Sequence, residues 1–318
     1  MSGFTITAGV SFSGGFTFTT EAPPPPPENT AAWFGGGWNE GTFSTVDRIT
    51  YATDTATASV RGPLSLTRYA LAAAGNTTDG WFGSGWNSSV GPMSTVDRIT
   101  YATDTATASV RGPLSLTRYN LAAAGNTTEG WFGGGGVNPT SLSTVDRITY
   151  ATDTATASVR GPLSAGRYVL AAAGNTTDGW FGGGSGPGFH STVDRITYAT
   201  DTATASVRGP LSSARIRLAA VGNTTDGWFG AGYPATSTVD RITYATDTAT
   251  ASVRGPLSGV RRDSAAAGNS TDGWFGGGQT PPVSTVDRIT YATDTATASV
   301  RGPLSLARYQ LAAASGLQ

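Results

Sequence analysis

The sequence predicts an all-β fold, a six-bladed β-propeller closed by pairing of its N-terminal and C-terminal strands. A block of 22 residues, STVDRITYATDTATASVRGPLS, begins at Ser44 and returns unchanged five more times at intervals of 46 to 50 residues. A period of this length is typical of propellers and solenoids. No segment carries an apolar stripe at helical spacing, so we expect the repeat to consist of strands. The two chain ends contain complementary parts of one repeat, which favours a closed ring.

Each repeat divides into four short strands, taken here from the second copy. Leu71 to Asn76 is small and apolar, and the Asn, Asp and Gly content of Asn76 to Gly80 predicts a turn. This turn also explains the N-x-S/T pattern at Asn76. Trp81 to Gly85 is the second predicted strand, Thr95 to Thr103 alternates with a period of two as the third, and Thr107 to Arg111 is the fourth.

The way in which the ends divide the repeat decides between a ring and an open stack. The repeats begin in the middle of a unit near Trp33 and finish with the first strand of a unit near Leu311. An open solenoid needs capping repeats, whereas a propeller builds one blade from both termini. We therefore expect the strand near Leu311 to pair beside the strand near Trp33.

The residues that do not vary among the copies are most simply explained as scaffold. Asp47, Arg48, Arg61 and Arg68 recur six times, which favours ion pairs between blades and hydrogen bonds from Arg to loop carbonyls over catalysis. The Trp-Phe pairs, such as Trp33 with Phe34, are expected to pack between blades. The glycines that follow them allow close approach of neighbouring backbones.

Two segments of the repeat do vary, and both are expected on one face. The insert between the second and third strands changes in length and chemistry, and so do the residues just after the Gly-Pro-Leu-Ser motif. Successive turns of an antiparallel blade alternate between faces, which places these two segments together. Binding residues are often carried by loops on a rigid scaffold. The face is therefore a candidate binding surface, and its exposed and axial residues are Trp38, Phe43, Trp86, Met93, Phe189, His190, Tyr233, Asn120, Arg217, Asp263 and Gln310.

Composition excludes several classes of function. The 20 basic and 21 acidic residues nearly cancel, which argues against a nucleic-acid binder. No run of about 18 apolar residues is present, so no membrane span is expected. The chain has no Cys and one His, His190, and we therefore expect no metal centre and no cofactor.

The repeat resembles the kelch repeat of β-propellers. The resemblance rests on the aromatic pair followed by glycines, the Asp- and Tyr-bearing strand VDRITYATDTAT, and the Gly-Pro-Leu motif with Arg68 after it. Where kelch repeats place a Trp in the fourth strand, this chain has Ala58. The blocks FGGG and STVDRI to ATASVRGPLS are also similar to repeats in virion structural proteins of marine tailed bacteriophages. These resemblances imply a kelch-like propeller and a place in a virus particle.

The N-terminal part differs in kind from the propeller at residues 30–318. Residues 1–20 alternate apolar and polar side chains as strands do, yet about 20 residues cannot close a core alone. They predict a β-rich tail that anchors to other virion proteins through Phe4, Ile6, Val10, Phe12, Phe16 and Phe18. Residues 21–29 contain five consecutive prolines, which predict a stiff linker.

The sequence thus favours a non-enzymatic virion protein whose tail docks on the particle and whose variable face binds host surface glycan or another virion protein. Its oligomeric state would be set by the assembly. A polysaccharide-degrading propeller, secreted, on the cell surface or attached to a tail, is the alternative, with Glu40, Glu129 and Asp263 as its non-repeated acids. A purely stabilising decoration protein of a capsid or tail is a third hypothesis. A flat threonine lattice for ice binding is not expected from radially arranged blades.

Overall fold

The computed structural model describes residues 30–315, which form six four-stranded antiparallel sheets arranged in a ring. The predicted all-β, six-bladed propeller is confirmed. The predictions for residues 1–29, including the anchoring residues Phe4 to Phe18 and the proline linker, lie outside the described residues. Among residues 30–315, no helix has the length and apolar character needed to cross a bilayer.

The blades follow one another along the chain, and each runs from an inner strand at the axis to an outer edge strand. Blade 1 consists of Ala312–Ala314, Ala31–Gly35, Val46–Thr50 and Ser59–Arg61. Blade 2 consists of Ala72–Gly75, Asp79–Asn87, Gly91–Thr100 and Ser109–Arg111. Blade 3 consists of Ala122–Gly125, Glu129–Gly133, Val145–Thr149 and Ser158–Arg160.

The remaining three blades keep the same order. Blade 4 consists of Ala171–Gly174, Asp178–Gly182, Val193–Thr197 and Ser206–Arg208. Blade 5 consists of Ala219–Gly222, Asp226–Gly230, Val239–Thr243 and Ser252–Arg254. Blade 6 consists of Ala265–Gly268, Asp272–Gly276, Val286–Thr290 and Ser299–Arg301. A two-stranded hairpin, Gly136–Val137 with Thr140–Ser141, extends the insert of blade 3.

The third strand is shorter than the alternation predicts. In blade 2 it ends at Thr100 rather than Thr103, because Tyr101–Thr103 forms a short 3₁₀ turn. The same turn follows the third strand in the other blades, at Tyr51–Thr53, Tyr150–Thr152, Tyr198–Thr200, Tyr244–Thr246 and Tyr291–Thr293. Val96 and Asp97 point to opposite faces and are both buried, because each blade is covered on both faces by its neighbours.

The ring closes as the chain ends predict. Ala312–Ala314 pairs antiparallel with Ala31–Gly35, and Trp33 is opposite Ala314. The C-terminal end of the propeller therefore supplies the inner strand of the first blade, and the N-terminal end supplies the other three strands.

A buried aspartate joins each pair of neighbouring blades. Asp104 of blade 2 accepts hydrogen bonds from Nε1 of Trp33 at 2.8 Å and Nη1 of Arg48 at 3.1 Å, and it lies 3.5 Å from Nε of Arg61. The Trp33 ring stacks on Tyr101 with 3.7 Å between centroids. The predicted ion pairs between blades are confirmed. Their acceptor, which no sequence pattern had marked, recurs at all six interfaces as Asp54, Asp104, Asp153, Asp201, Asp247 and Asp294.

The third repeated arginine, Arg68 and its copies, connects each crossover to the next blade. Nη2 of Arg68 donates to the Phe82 carbonyl oxygen and to Oδ2 of Asp97, both at 3.0 Å, and the Ser65 amide donates to the same carboxylate. Arg68 and Asp97 are fully buried. Burial lowers the pKa of Arg68, and the adjacent Asp97 carboxylate opposes that shift. Phe82 lies in a strand, and the predicted hydrogen bonds from Arg to loop carbonyls are confirmed at the equivalent Arg167, whose Nη1 donates to the carbonyl oxygens of Gly183 and Thr192, both at 2.8 Å.

The glycine that follows each Trp-Phe pair is required by the packing. A Cβ added to Gly35 would lie 2.9 Å from Cε1 of Phe82 in the next blade. Phe82 is fully buried against this backbone. The predicted packing of the aromatic pair between blades, at a position where a glycine permits close approach, is confirmed.

Candidate binding face

The two variable segments of the repeat meet on one face of the ring, as expected. Tyr69, in the crossover that leads into blade 2, forms a β-bridge with Trp86 in the insert of the same blade. Trp38 bridges to Tyr309 in the same way in blade 1. We call this side, with the inserts and the crossovers, the variable face. The Asn-Thr-Thr-Asp turns lie on the opposite side, which we call the invariant face.

A closed ring of backbone hydrogen bonds surrounds the axis on the variable face. One residue of each crossover donates its N–H to the carbonyl oxygen of the equivalent residue in the preceding blade, at 2.7 to 2.8 Å. The bond from Ala70 to Gln310 completes the circle. We call these six positions the axial ring; they are Ala70, Asn120, Val169, Arg217, Asp263 and Gln310.

All six residues of the axial ring have left-handed backbone conformations, with φ between 51° and 61°. Such values are uncommon for residues other than glycine, and Val is among the least suited to them. The ring hydrogen bonds hold each residue in this geometry. Because none of the six is glycine, every blade presents a different side chain at the mouth of the axis, as expected for Asn120, Arg217, Asp263 and Gln310.

The axial mouth holds one buried carboxylate with two guanidinium groups beside it. Nη1 of Arg217 donates to Oδ2 of Asp263 at 2.9 Å, and Nε of Arg262 lies 3.8 Å from the same oxygen. The Gln310 side chain also hydrogen-bonds to Asp263. Burial raises the pKa of Asp263, and the two arginines oppose the shift. The cluster therefore combines hydrogen-bond donors with a carboxylate that gains a proton more readily than an exposed one.

Aromatic side chains surround this polar centre. Trp38 meets Tyr69 edge to face with 5.3 Å between centroids, and Trp86 meets Tyr119 in the same way at 5.1 Å. On another sector Phe189 meets Tyr233 at 5.9 Å. Arg262 lies over the Tyr233 ring, with its Cζ 5.2 Å from the centroid. These contacts hold the rings at fixed positions while leaving part of each exposed.

The predicted site residues differ in their exposure. Phe189 and Tyr233 are exposed, at 46% and 40%, whereas Trp38, Phe43 and Trp86 are partly covered. Met93 is not exposed as predicted, since only 5% of its surface is accessible. Its insert forms a long hairpin instead of a loop. Met93 lies within that hairpin opposite Gly85, and its carbonyl oxygen accepts from Ser84 and Arg118.

His190 is at the base of its insert and is partly covered. Burial and the nearby Arg167 guanidinium lower the pKa of its imidazole. Its Nε2 has no hydrogen-bond partner within the described part of the chain. Within residues 30–315, no group of three or more acidic or histidine side chains is placed to hold a metal ion.

One acid considered for catalysis lies far from this face. Glu129 occupies the position that Asp79 holds in the second repeat, beside the turn on the invariant face. It is 3.1 Å from Nε of Arg147 and accepts a hydrogen bond from Thr149. The expectation that Glu129 is a non-repeated acid is therefore wrong, because its carboxylate takes the structural role of the repeated aspartate.

The turns of the invariant face follow the prediction. Oδ1 of Asn76 accepts the backbone N–H groups of Thr78 and Asp79, both at 2.9 Å. This is the arrangement of an Asx turn, so the turn-forming role of Asn76 is confirmed.

Comparison of the sequence with known protein families and with curated proteins finds no match to either. The fold and the variable face define the class of protein: a six-bladed β-propeller with six identical scaffold blocks and one asymmetric surface.

Proposed function

We propose that this chain is a non-enzymatic adhesion protein of a virus particle, and that its variable face binds host surface glycan. The axial mouth supports the proposal most strongly. Asn120, Arg217, Asp263 and Gln310 offer donors and acceptors there, and aromatic rings stand around them. Ligand sites commonly combine a few placed polar groups with aromatic walls.

The pattern of variation also supports a binding role for this face. The 22-residue block is the same in every copy, while the inserts and the axial ring differ from blade to blade. An asymmetric ligand needs unlike contacts around the axis, and this face supplies them from a symmetric scaffold. Partly exposed Trp and Tyr side chains suit the apolar faces of sugar rings, with their polar atoms free for hydroxyl groups.

The place of the protein in a virus particle is proposed from the sequence resemblance. Residues 1–20 would dock on other virion proteins, and the prolines of residues 21–29 would keep the propeller at a distance from the particle. Mass spectrometry of density-purified particles tests this part. A fixed stoichiometry relative to capsid and tail subunits supports a virion role, and absence from particles contradicts it.

A polysaccharide-degrading enzyme is the second candidate, because burial raises the pKa of Asp263 in the axial mouth. A carboxylic acid with a raised pKa is suited to general acid catalysis. Glu40 is the other non-repeated acid of the variable face, and Glu129 does not belong to it. Release of reducing sugar by the purified protein, lost in Asp263→Asn, would favour this candidate over adhesion.

Adsorption to host cells tests the adhesion proposal. The triple variant Trp38→Ala, Trp86→Ala, Tyr233→Ala removes one aromatic ring from each of three inserts. We expect its affinity for host polysaccharide to fall about tenfold or more, in line with the cost of removing aromatic anchors from a binding site. The matched control is Val60→Ala, Val110→Ala, Val159→Ala, which alters outer-edge side chains that are each 60% exposed. Equal adsorption of both variants and the unaltered protein would contradict the proposal.

A further inference from the structure

The arginines of the chain fall into two groups. Three repeated positions, Arg48, Arg61 and Arg68 with their copies, account for 18 of the 20 basic residues and form the scaffold contacts described above. The other two are Arg217 and Arg262, which have no copies and lie beside one carboxylate at the axial mouth of the variable face. The arginines that the scaffold does not use are thus concentrated at one place on the ring.

The other blades place no cation at these two positions. The residues equivalent to Arg262 are Tyr69, Tyr119, Tyr168, Ile216 and Tyr309. The residues equivalent to Arg217 are Ala70, Asn120, Val169, Asp263 and Gln310. The positive charge is therefore a local feature of the ring and does not come from the repeat.

The two arginines share a single carboxylate. Asp263 accepts a hydrogen bond from Nη1 of Arg217 at 2.9 Å, while Arg262 approaches the same oxygen only to 3.8 Å. Within residues 30–315, neither guanidinium lies within 4.0 Å of any other carboxylate. Two positive charges meet one negative charge here, so one positive charge has no counterion in the described part of the chain.

The donors without a partner are at the surface. The side chains of Arg217 and Arg262 are 33% and 27% exposed, whereas that of Asp263 is 3% exposed. Nε of Arg262 is buried, but its two Nη nitrogens and Nη2 of Arg217 reach solvent, and they have no hydrogen-bond partner among residues 30–315. A ligand that approaches the axial mouth therefore meets free guanidinium N–H groups before it meets the carboxylate.

Exposed aromatic rings lie beside these cations. The Arg262 guanidinium lies over the Tyr233 ring, which meets Phe189 edge to face, and these two rings are the most exposed aromatic residues of the predicted site. An aromatic ring suits the apolar face of a sugar, and a planar guanidinium pairs with the oxygens of an anion. We call Phe189, Arg217, Tyr233 and Arg262 the arginine sector.

We propose that the arginine sector binds an acidic sugar unit, whose carboxylate or sulfate group is held by the free Nη groups of Arg217 and Arg262 while its ring lies against Phe189 and Tyr233. The inference rests on the glycan-binding function proposed above and names the class of ligand, an acidic polysaccharide. The buried Asp263 keeps Arg217 in place, and the surplus positive charge favours an anion over a neutral sugar.

A polymer whose charge can be removed tests this preference. Polygalacturonate and its methyl ester have the same sugar rings and linkages, and only the first carries carboxylates. Both are titrated into the full-length protein by isothermal calorimetry at physiological salt. We expect the acid form to bind at least about tenfold more tightly than the ester, which is the effect of hydrogen bonds to a charged group.

Arg262→Gln removes one guanidinium and leaves the partner that holds Asp263. It should weaken binding of the acid form about tenfold and leave binding of the ester unchanged. Val60→Glu is the matched control, because it lowers the net charge by the same amount at an exposed site on an outer strand. Its affinity for both polymers should equal that of the unaltered protein. Melting temperatures verify that both variants are folded.

A sulfated polymer distinguishes the two acidic groups. Tighter binding of dextran sulfate than of polygalacturonate, lost in Arg262→Gln, assigns a sulfate, and the reverse order assigns a carboxylate. Equal affinities for polygalacturonate and its ester would overturn the inference, and so would equal losses in Arg262→Gln and Val60→Glu or a lack of binding to either charged polymer. The proposed function fails on a separate result, equal adsorption of the aromatic triple variant and the unaltered protein to host cells.

Discussion

Nη2 of Arg308 donates a hydrogen bond to the carbonyl oxygen of Phe34 at 3.0 Å, and this contact joins residues that are 274 positions apart. Nη1 of Arg308 is also 3.2 Å from Oδ2 of Asp47. At the other interfaces, the equivalent arginine lies in a crossover and hydrogen-bonds to the blade that follows that crossover. At this one interface the same contact joins the two ends of the ring, next to the strand pairing of Ala312–Ala314 with Ala31–Gly35.

Removal of residues 308–318 should open the ring. The first blade would lose its inner strand, and the buried Asp47 carboxylate would lose its arginine, a loss that costs about 3–5 kcal/mol by itself. We expect the melting temperature, measured by circular dichroism, to fall by more than about 10 °C. Removal of residues 1–20 is the control and should leave a soluble monomeric propeller. An unchanged melting temperature after the C-terminal deletion would refute closure by the first blade.

The Gly62→Ala substitution should destabilise the contact between neighbouring blades. A Cβ at Gly62 would overlap the backbone carbonyl oxygen of Ala106 in the next blade. Backbone atoms cannot move aside as a flexible side chain can, so the expected loss in unfolding free energy is about 3 kcal/mol or more. Gly41→Ala is the matched control, because a Cβ there meets no atom within 4 Å. Urea denaturation that ranks the two variants as equal would contradict this packing.

The left-handed backbone at the axial ring should make the stability of the protein depend on which residue type occupies each ring position. Asn adopts this conformation readily and Val does not, a difference of about 1 kcal/mol. Asn120 is only partly covered, so Asn120→Val is expected to lower the urea midpoint through the backbone. If Asn120→Val leaves the midpoint unchanged, this position does not carry the backbone strain described for the ring.

The axial carboxylate should make stability depend on pH. Because burial raises the pKa of Asp263, the folded chain holds this proton more tightly than the unfolded chain does. Its contribution to stability therefore falls as the pH rises from the ordinary aspartate pKa of about 4 to the raised value. We expect the stability of the unaltered protein relative to Asp263→Asn to decrease over that window. A constant difference would show that the arginines balance burial, and a difference that grows with pH would show that they outweigh it.

Much of the architecture could be predicted because the chain contains six copies of one repeat that can be compared with each other. The number of blades, the strand order and the joining of both termini in one blade follow from the repeats and from the position of Trp33 and Leu311 within them. The turn at Asn76 was predictable from local chemistry. The end of the third strand was not, because Tyr101–Thr103 continues the alternation of the strand while its backbone forms a 3₁₀ turn.

The site was less predictable, because its main features depend on contacts between blades. Asp104 belongs to the unchanging block, and no pattern distinguishes an acceptor for Trp33 from an ordinary turn residue. Met93 was predicted to be exposed from its place in an insert, and only the pairing of the hairpin shows that it is buried. The axial ring carries no glycine to mark its left-handed conformation.

Footprinting of aromatic side chains tests most directly whether the variable face is the binding surface. The full-length protein is exposed to hydroxyl radicals with and without host surface polysaccharide, and modification is measured by mass spectrometry at each residue. The account predicts that polysaccharide protects Trp38, Trp86, Phe189 and Tyr233, while Val60 and its exposed copies on the outer strands stay unchanged. Protection confined to the outer strands or the invariant face, with the four aromatic residues still modified, would contradict it.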